Sequence, residues 1–182
     1  QRQMCIRDSN VRSKQFLPLL EKEDGTIESM VQRVVRQAKA AGLTNAITLA
    51  TNTSQLDIIT NQLGDTVSVV TEPECRDTFP AIALAASYLH FAKCCADDEV
   101  IVIMPCDPYT EADYFETIGK MVECVKRDVA ELVLMGITPT YPSEKYGYVM
   151  PIASDNEYKM VSYFTEKPTV ERAKELLAEN AY

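Results

Sequence analysis

Residues 71–109 read TEPECRDTFPAIALAASYLHFAKCCADDEVIVIMPCDPY. A polar, turn-like segment from Glu72 to Asp77 opens a long apolar helix. After an acidic break comes a continuous apolar run, Val100 to Met104, which ends at once in Pro-Cys-Asp-Pro. Such a run, bounded by turn formers, is the pattern of a buried strand with helices on both faces. It puts one carboxylate, Asp107, at the C-terminal tip of a central strand. Open α/β sheets bind their ligands there.

The same alternation extends in both directions. Thr26 to Ala41 reads as a helix, with Ile27, Met30, Val31, Val34, Val35 and Ala38 on one face and Gly42 as its stop. Asn45 to Ala50 reads as a short buried strand. Thr53 or Ser54 can cap a helix that ends at Gly64. Val67 to Val70 is the next strand, and Thr78 caps the long apolar helix. Ala112 to Arg127 reads as a helix, and Leu132 to Ile137 as a strand. Tyr146 to Ile152 and Lys159 to Thr165 read as two more strands, and Val170 to Glu179 as a closing helix after Pro168. Strand–helix alternation implies right-handed parallel crossovers. The expected class is therefore α/β, a Rossmann-like doubly wound and mainly parallel sheet.

Composition narrows the function. At 182 residues the chain is one domain or a large part of one. No apolar run approaches the length that spans a bilayer, so no membrane association is expected. The formal net charge of -9 argues against a broad nucleic-acid surface. Cys5, Cys75, Cys94, Cys95, Cys106 and Cys124 form no C-x-x-C pair, and His90 is the only histidine, so a zinc site is not expected. Free thiols fit a reduced, cytosolic protein. Gln1 to Ser9, QRQMCIRDS, has neither a signal-peptide core nor a clear period. It reads as translated adapter sequence. The expectation is a non-native leader over 1–9 and a partial domain over 10–182, truncated at both ends.

Several residues can carry chemistry. Lys14 follows Arg12 and Ser13 in a basic, turn-prone segment, where an ammonium can meet a phosphate as a point charge. On its own that signal is weak, and a solvated surface lysine is the first reading. Asp107 can hold a divalent metal against phosphate oxygens, or it can bond locally within a proline-rimmed turn. Glu72, Arg76, Asp77 and Thr78 crowd one sheet edge. A helix cap explains part of that, and backbone amides with an acidic side chain could read the edge of a base. Tyr146-Gly147-Tyr148 follows a proline-marked loop, and Gly147 permits close backbone approach. Glu166-Lys167 ends a strand as a paired acid and base. As a surface ion pair it would contribute little.

Taken in order, KQFLPLL, TEPECRDTFPAIALAA, VIVIMPCDPY, GITPTYPSEKYGY and FTEKP closely resemble the sugar-nucleotide pyrophosphorylase family, in particular its mannose-1-phosphate guanylyltransferases. The resemblance runs from about Val11 to Tyr182. EP-x-x-RDT-x-PAIALAA is its most discriminating block, whereas PCDPY and F-x-EKP are shared more widely. The resemblance implies a nucleotide-diphospho-sugar transferase fold and GTP and mannose 1-phosphate as substrates. It implies magnesium held by Asp107, and Lys14 on the phosphates, with Ser13 in place of the usual proline. Glu72, Arg76, Asp77 and Thr78 then lie near the guanine. Tyr146, Gly147 and Tyr148 lie over the sugar, and Glu166 and Lys167 hold the mannose hydroxyls and phosphate. The family's G-G-x-G-x-R-L-x-P signature is absent before Asn10. A cytoplasmic location and a homo-oligomer are compatible with the family. Another sugar-1-phosphate nucleotidyltransferase, a nucleotide-sugar glycosyltransferase and a non-catalytic sugar-nucleotide-binding domain stand as alternatives.

Overall fold

The computed structural model describes residues 13–43, 46–74, 76, 78–154 and 156–182. The expectations for the leader Gln1 to Ser9, and for Arg12, Cys5, Cys75 and Asp77, lie outside the described residues. The chain divides into two compact units between Val133 and Leu134.

The first unit begins with a 3-10 turn, Lys14–Phe16, and an antiparallel hairpin of β1, Pro18–Glu21, and β2, Ile27–Ser29. The hairpin corrects the expected helix start at Thr26. Apolar spacing alone extends the helix backwards to Ile27, but Ser29 is its N-cap. The Ser29 hydroxyl accepts from the Gln32 amide, and the Gln32 side chain accepts from the Ser29 amide. This capping box ends the strand and starts α1, Met30–Ala40. The helix buries Val31, Val34, Val35 and Ala38.

β3, Thr48–Asn52, and β4, Ser68–Glu72, form a parallel pair in register, with Asn52 opposite Glu72. Between them lie a 3-10 turn, Thr53–Gln55, and α2, Leu56–Leu63, which ends at Gly64 with φ 54°. A positive φ at that position is what glycine supplies at low steric cost. Phe16, Val31, Val35, Ile59 and Leu63 form the core beneath the pair, with Cys106 packed against it. Burial of each large side chain contributes about 1.5–3 kcal/mol.

α3 spans Thr78–Lys93 and α4 spans Ala112–Lys126. α4 buries Phe115 and Ile118, whereas no α3 residue is buried, and Phe79 and Phe91 stand exposed. The expected strand at Val100 to Met104 does not form, and Ile101, Val102 and Ile103 are exposed. Leu132 to Ile137 likewise forms no strand. An apolar run records a tendency to be buried, whereas a strand also needs a neighbour to complete its ladder. Among the described residues neither run has one. Among the described residues the sheets are three two-stranded pairs, of which β3–β4 alone is parallel.

In the second unit β5, Gly147–Pro151, and β6, Val161–Glu166, pair antiparallel. α5, Val170–Ala178, is capped by the Thr169 hydroxyl, which accepts from the Arg172 amide. Tyr148, Met150, Ala173, Leu176 and Ala181 form this unit's core. Among the described residues no helix is long and apolar enough to cross a membrane.

Candidate functional site

The parallel β3–β4 pair sets an edge, because both strands end on the same side. Several predicted residues connect to it. Glu72 is the last residue of β4. At the end of β3 the Thr51 hydroxyl donates to Gln55 Oε1 at 2.5 Å, and Gln55 Nε2 donates to the Ser13 hydroxyl at 2.8 Å. Lys14 follows Ser13 and opens the first 3-10 turn. That turn is anchored by buried Gln15 and Phe16 and by Gln62 Nε2, which donates to the Phe16 carbonyl. Lys14 Nζ lies 3.1 Å from an Asp107 carboxylate oxygen. Residues 93 positions apart are thus joined at one edge, with Lys14 59% and Asp107 33% exposed.

The Asp107 loop is held from two directions. Cys106 packs inward against the core, and burial followed by the neighbouring carboxylate pushes its thiol above its ordinary pKa. A raised thiol pKa makes a nucleophilic role for Cys106 less accessible. On the other side Arg33 and Gln37 of α1 reach the Thr110 carbonyl.

Glu72 and Arg76 line an open pocket of about 470 Å³ with Pro73, Glu74, Pro80 and Leu84. Its size is in the range of small-molecule sites. Arg76 pairs with Glu74 at 2.6 Å, both well exposed. Thr78 opens α3.

The second unit gathers its five predicted residues at one end of the β5–β6 ladder. Gly147 stands opposite Glu166. The Lys167 amide donates to the Tyr146 carbonyl at 3.2 Å, and Lys167 Nζ lies 3.0 Å from Glu166 Oε1. Gly147 has a steric reason to be glycine. A Cβ there would sit 2.7 Å from Glu166 Oε2 and still closer to the Phe164 ring. Lys167 has φ 45°, a conformation that L side chains rarely adopt. Tyr148 is buried, and its hydroxyl accepts from the Ser143 amide at 2.7 Å and donates to the Ser143 carbonyl at 3.0 Å. That hydroxyl ties down the proline-marked loop. Tyr146 is exposed beside Tyr141, whose phenol it pushes above its ordinary pKa.

Arg33, Gln37 and Gln55 carry no signal of this kind in the sequence. The only hint is a polar pair one turn apart on an otherwise apolar helix face.

The profile of the family described as nucleotidyl transferase matches residues 9–182. The chain belongs to the nucleotidyl transferase family. The mannose-1-phosphate guanylyltransferase of Sinorhizobium fredii (strain NBRC 101917 / NGR234) is 30% identical to this nucleotidyl transferase chain over 177 residues, covering 93% of it and 33% of the relative. The mannose-1-phosphate guanylyltransferase of Salmonella montevideo is 28% identical over 184 residues, covering 93% and 36%. The chain therefore spans about a third of the length of these relatives. A solved structure described as mannose-1-phosphate geranyltransferase from Thermus thermophilus superposes with a TM-score of 0.72 at 24% identity, over 93% of this chain and 48% of its own. The nucleotidyl transferase chain thus has the α/β fold of that protein.

Proposed function

We propose that this protein transfers a guanylyl group from GTP to mannose 1-phosphate, giving GDP-mannose and pyrophosphate. The observation that carries the reading is the Lys14–Asp107 pair at the edge where the parallel strands end. A cation and a carboxylate side by side suit a reaction among phosphates. A phosphate oxygen of mannose 1-phosphate attacks the α-phosphorus of GTP. The new P–O bond forms as the bond to the β-phosphate oxygen breaks, and the electron pair leaves with pyrophosphate. The nucleophile is already an anion, so no general base is needed. The protein contributes position and charge.

In this reading Lys14 offsets charge on the departing pyrophosphate. Glu72, Arg76, Asp77 and Thr78 face the guanine. Glu166 and Lys167 orient the mannose and its phosphate, and Tyr146 and Gly147 cover the sugar. Tyr148 supports that loop from beneath.

Among the described residues no three His, Cys, Asp or Glu side chains converge as an all-protein cage. The single, partly exposed carboxylate of Asp107 suits magnesium, which typically takes one or two carboxylates and fills its other positions with water and substrate phosphate. Asp107 would hold it, and when bound it supplies charge neutralisation at the phosphate oxygens. The proposal extends to a doubly wound, mainly parallel sheet in the whole protein, a cytoplasmic location and no nucleic-acid or membrane partner. A homo-oligomer is compatible with it.

The test is pyrophosphate release by the full chain with mannose 1-phosphate and GTP, ATP, UTP, CTP or dTTP. Release with GTP above the others is the expected result. Preference for UTP or CTP overturns the guanine assignment. GDP-mannose binding without turnover by any nucleotide makes this a sugar-nucleotide-binding domain.

A further inference from the structure

Arg33 of α1 is distant in sequence from the residues assigned above, and its side chain is only 12% exposed. Its polar and ring contacts converge on the loop that follows Asp107. The guanidinium centre lies 4.4 Å from the centroid of the Tyr109 ring. One terminal nitrogen donates to the Thr110 carbonyl at 3.2 Å and lies 3.6 Å from the Glu111 carboxylate. Gln37, one turn later, donates to the same carbonyl at 3.2 Å.

Cys106, packed against the core, and the Lys14–Asp107 pair hold the start of this loop, and the Arg33 and Gln37 contacts hold the stretch after Asp107. Pro108 has no amide proton. Among the described residues, no backbone-to-backbone hydrogen bond ties residues 105–110. Its position is therefore set by side chains, and α1 supplies those after Asp107 from a firm base. The capping box at Ser29, the buried valines and the two-pronged Arg36–Glu28 pair fix that helix.

Stability alone does not account for this arrangement. Arg33 Nε, Gln37 Oε1 and Thr110 Oγ1 are buried with no hydrogen-bond partner among the described residues. Such atoms cost stability, and an aliphatic contact would fasten the loop without that cost. The Glu111 contact, with its carboxylate 69% exposed, adds little. What remains is orientation. A planar guanidinium stacks on a ring while donating at its rim, and an ammonium does this less well.

We propose that Arg33 is a positioning residue for Asp107. It grips Tyr109 and the Thr110 carbonyl so that the Asp107 carboxylate stays beside Lys14. The catalytic half of this proposal rests on the guanylyl-transfer reading, and the mechanical half rests on geometry alone.

The test compares the full chain with its Arg33→Met variant, which keeps an unbranched stem and so protects the fold. Iodoacetamide labelling is read peptide by peptide at Cys106, beside Asp107, with Cys124 on α4 as reference. In parallel, kcat and KM for GTP are measured with mannose 1-phosphate. Arg33→Met is expected to label several-fold faster at Cys106 and unchanged at Cys124. Its kcat falls about 10- to 100-fold, as for a small misplacement of a reacting group, with KM for GTP little altered. Arg33→Lys recovers part of both effects. Unchanged Cys106 labelling overturns the proposal. Equal acceleration at Cys124 also overturns it, because Arg33 would then serve general packing. Faster Cys106 labelling with kcat unchanged removes the catalytic half. If the unaltered chain does not turn over GTP, the guanylyl-transfer reading fails, and Cys106 labelling still decides the clamp.

Discussion

Lys14 Nζ stands 3.1 Å from the Asp107 carboxylate. Both groups are partly open to water, so the pair contributes less than about 1 kcal/mol to folding. Its importance is chemical, because it brings a cation and a carboxylate to one point on the strand-end edge.

Asp107→Asn keeps the shape and removes the charge. It is expected to lower kcat about 10²- to 10³-fold, the usual loss when a preorganised charge-stabilising group is removed. GTP affinity, measured by calorimetry, should change far less. Lys14→Met should likewise lower kcat while moving the urea midpoint only slightly. An unchanged rate in Asp107→Asn would remove that residue from the mechanism.

Gly147→Ala would press a methyl group toward Glu166 Oε2 and the Phe164 ring. Phe164 is exposed, and Glu166 ends in a flexible carboxylate, so both can move aside. The expected stability cost is only about 1 kcal/mol. The displaced carboxylate should raise KM for mannose 1-phosphate about tenfold, the worth of one hydrogen bond. Steady-state kinetics with a thermal melt separate the two effects. A large loss of melting temperature with KM unchanged would assign Gly147 to packing.

Lys167 sits at φ 45° with its ammonium 3.0 Å from Glu166. Lys167→Gly and Lys167→Ala both remove the charge, but only glycine relieves the backbone. The glycine variant should be the more stable of the two by about 1 kcal/mol, read from chemical denaturation. Both should lose sugar-phosphate affinity alike. Equal stabilities would show that this turn carries no strain.

Burial, and then the Asp107 charge, push the Cys106 thiol upward. The folded chain therefore holds that proton more tightly than the unfolded chain. The resulting stability is complete below the unfolded thiol's pKa and is lost as pH rises through the folded one. Since the thiolate is the nucleophile, Cys106 alkylation in the folded chain should reach half-maximum at higher pH than in the urea-unfolded chain. Asp107→Asn should lower that midpoint in part. Coincident folded and unfolded midpoints would contradict the burial argument.

Local signals were sufficient where a segment's neighbours lie close in sequence. α4 and α5 start where their periodicity begins, and Gly64 ends α2 as its freedom at positive φ requires. The two strands of the second unit could also be read, because each finds its pairing partner close by in sequence. α1 was harder: its apolar spacing continues into Ile27, and only the Ser29 capping box and the pairing with β1 show where strand becomes helix.

The sequence by itself determined the family-like order of motifs, most of the helices and the candidate charges at Lys14 and Asp107. The tertiary structure decided that those two charges meet, that Arg33 and Gln37 hold the loop between α1 and Asp107, and that Tyr148 spends its hydroxyl on Ser143. It also left Val100 to Met104 and Leu132 to Ile137 outside any ladder. The physical reason is the same in each case. Periodicity and capping are properties of neighbours along the chain, whereas a salt bridge, a clamp or a strand pairing exists only when a distant segment comes alongside.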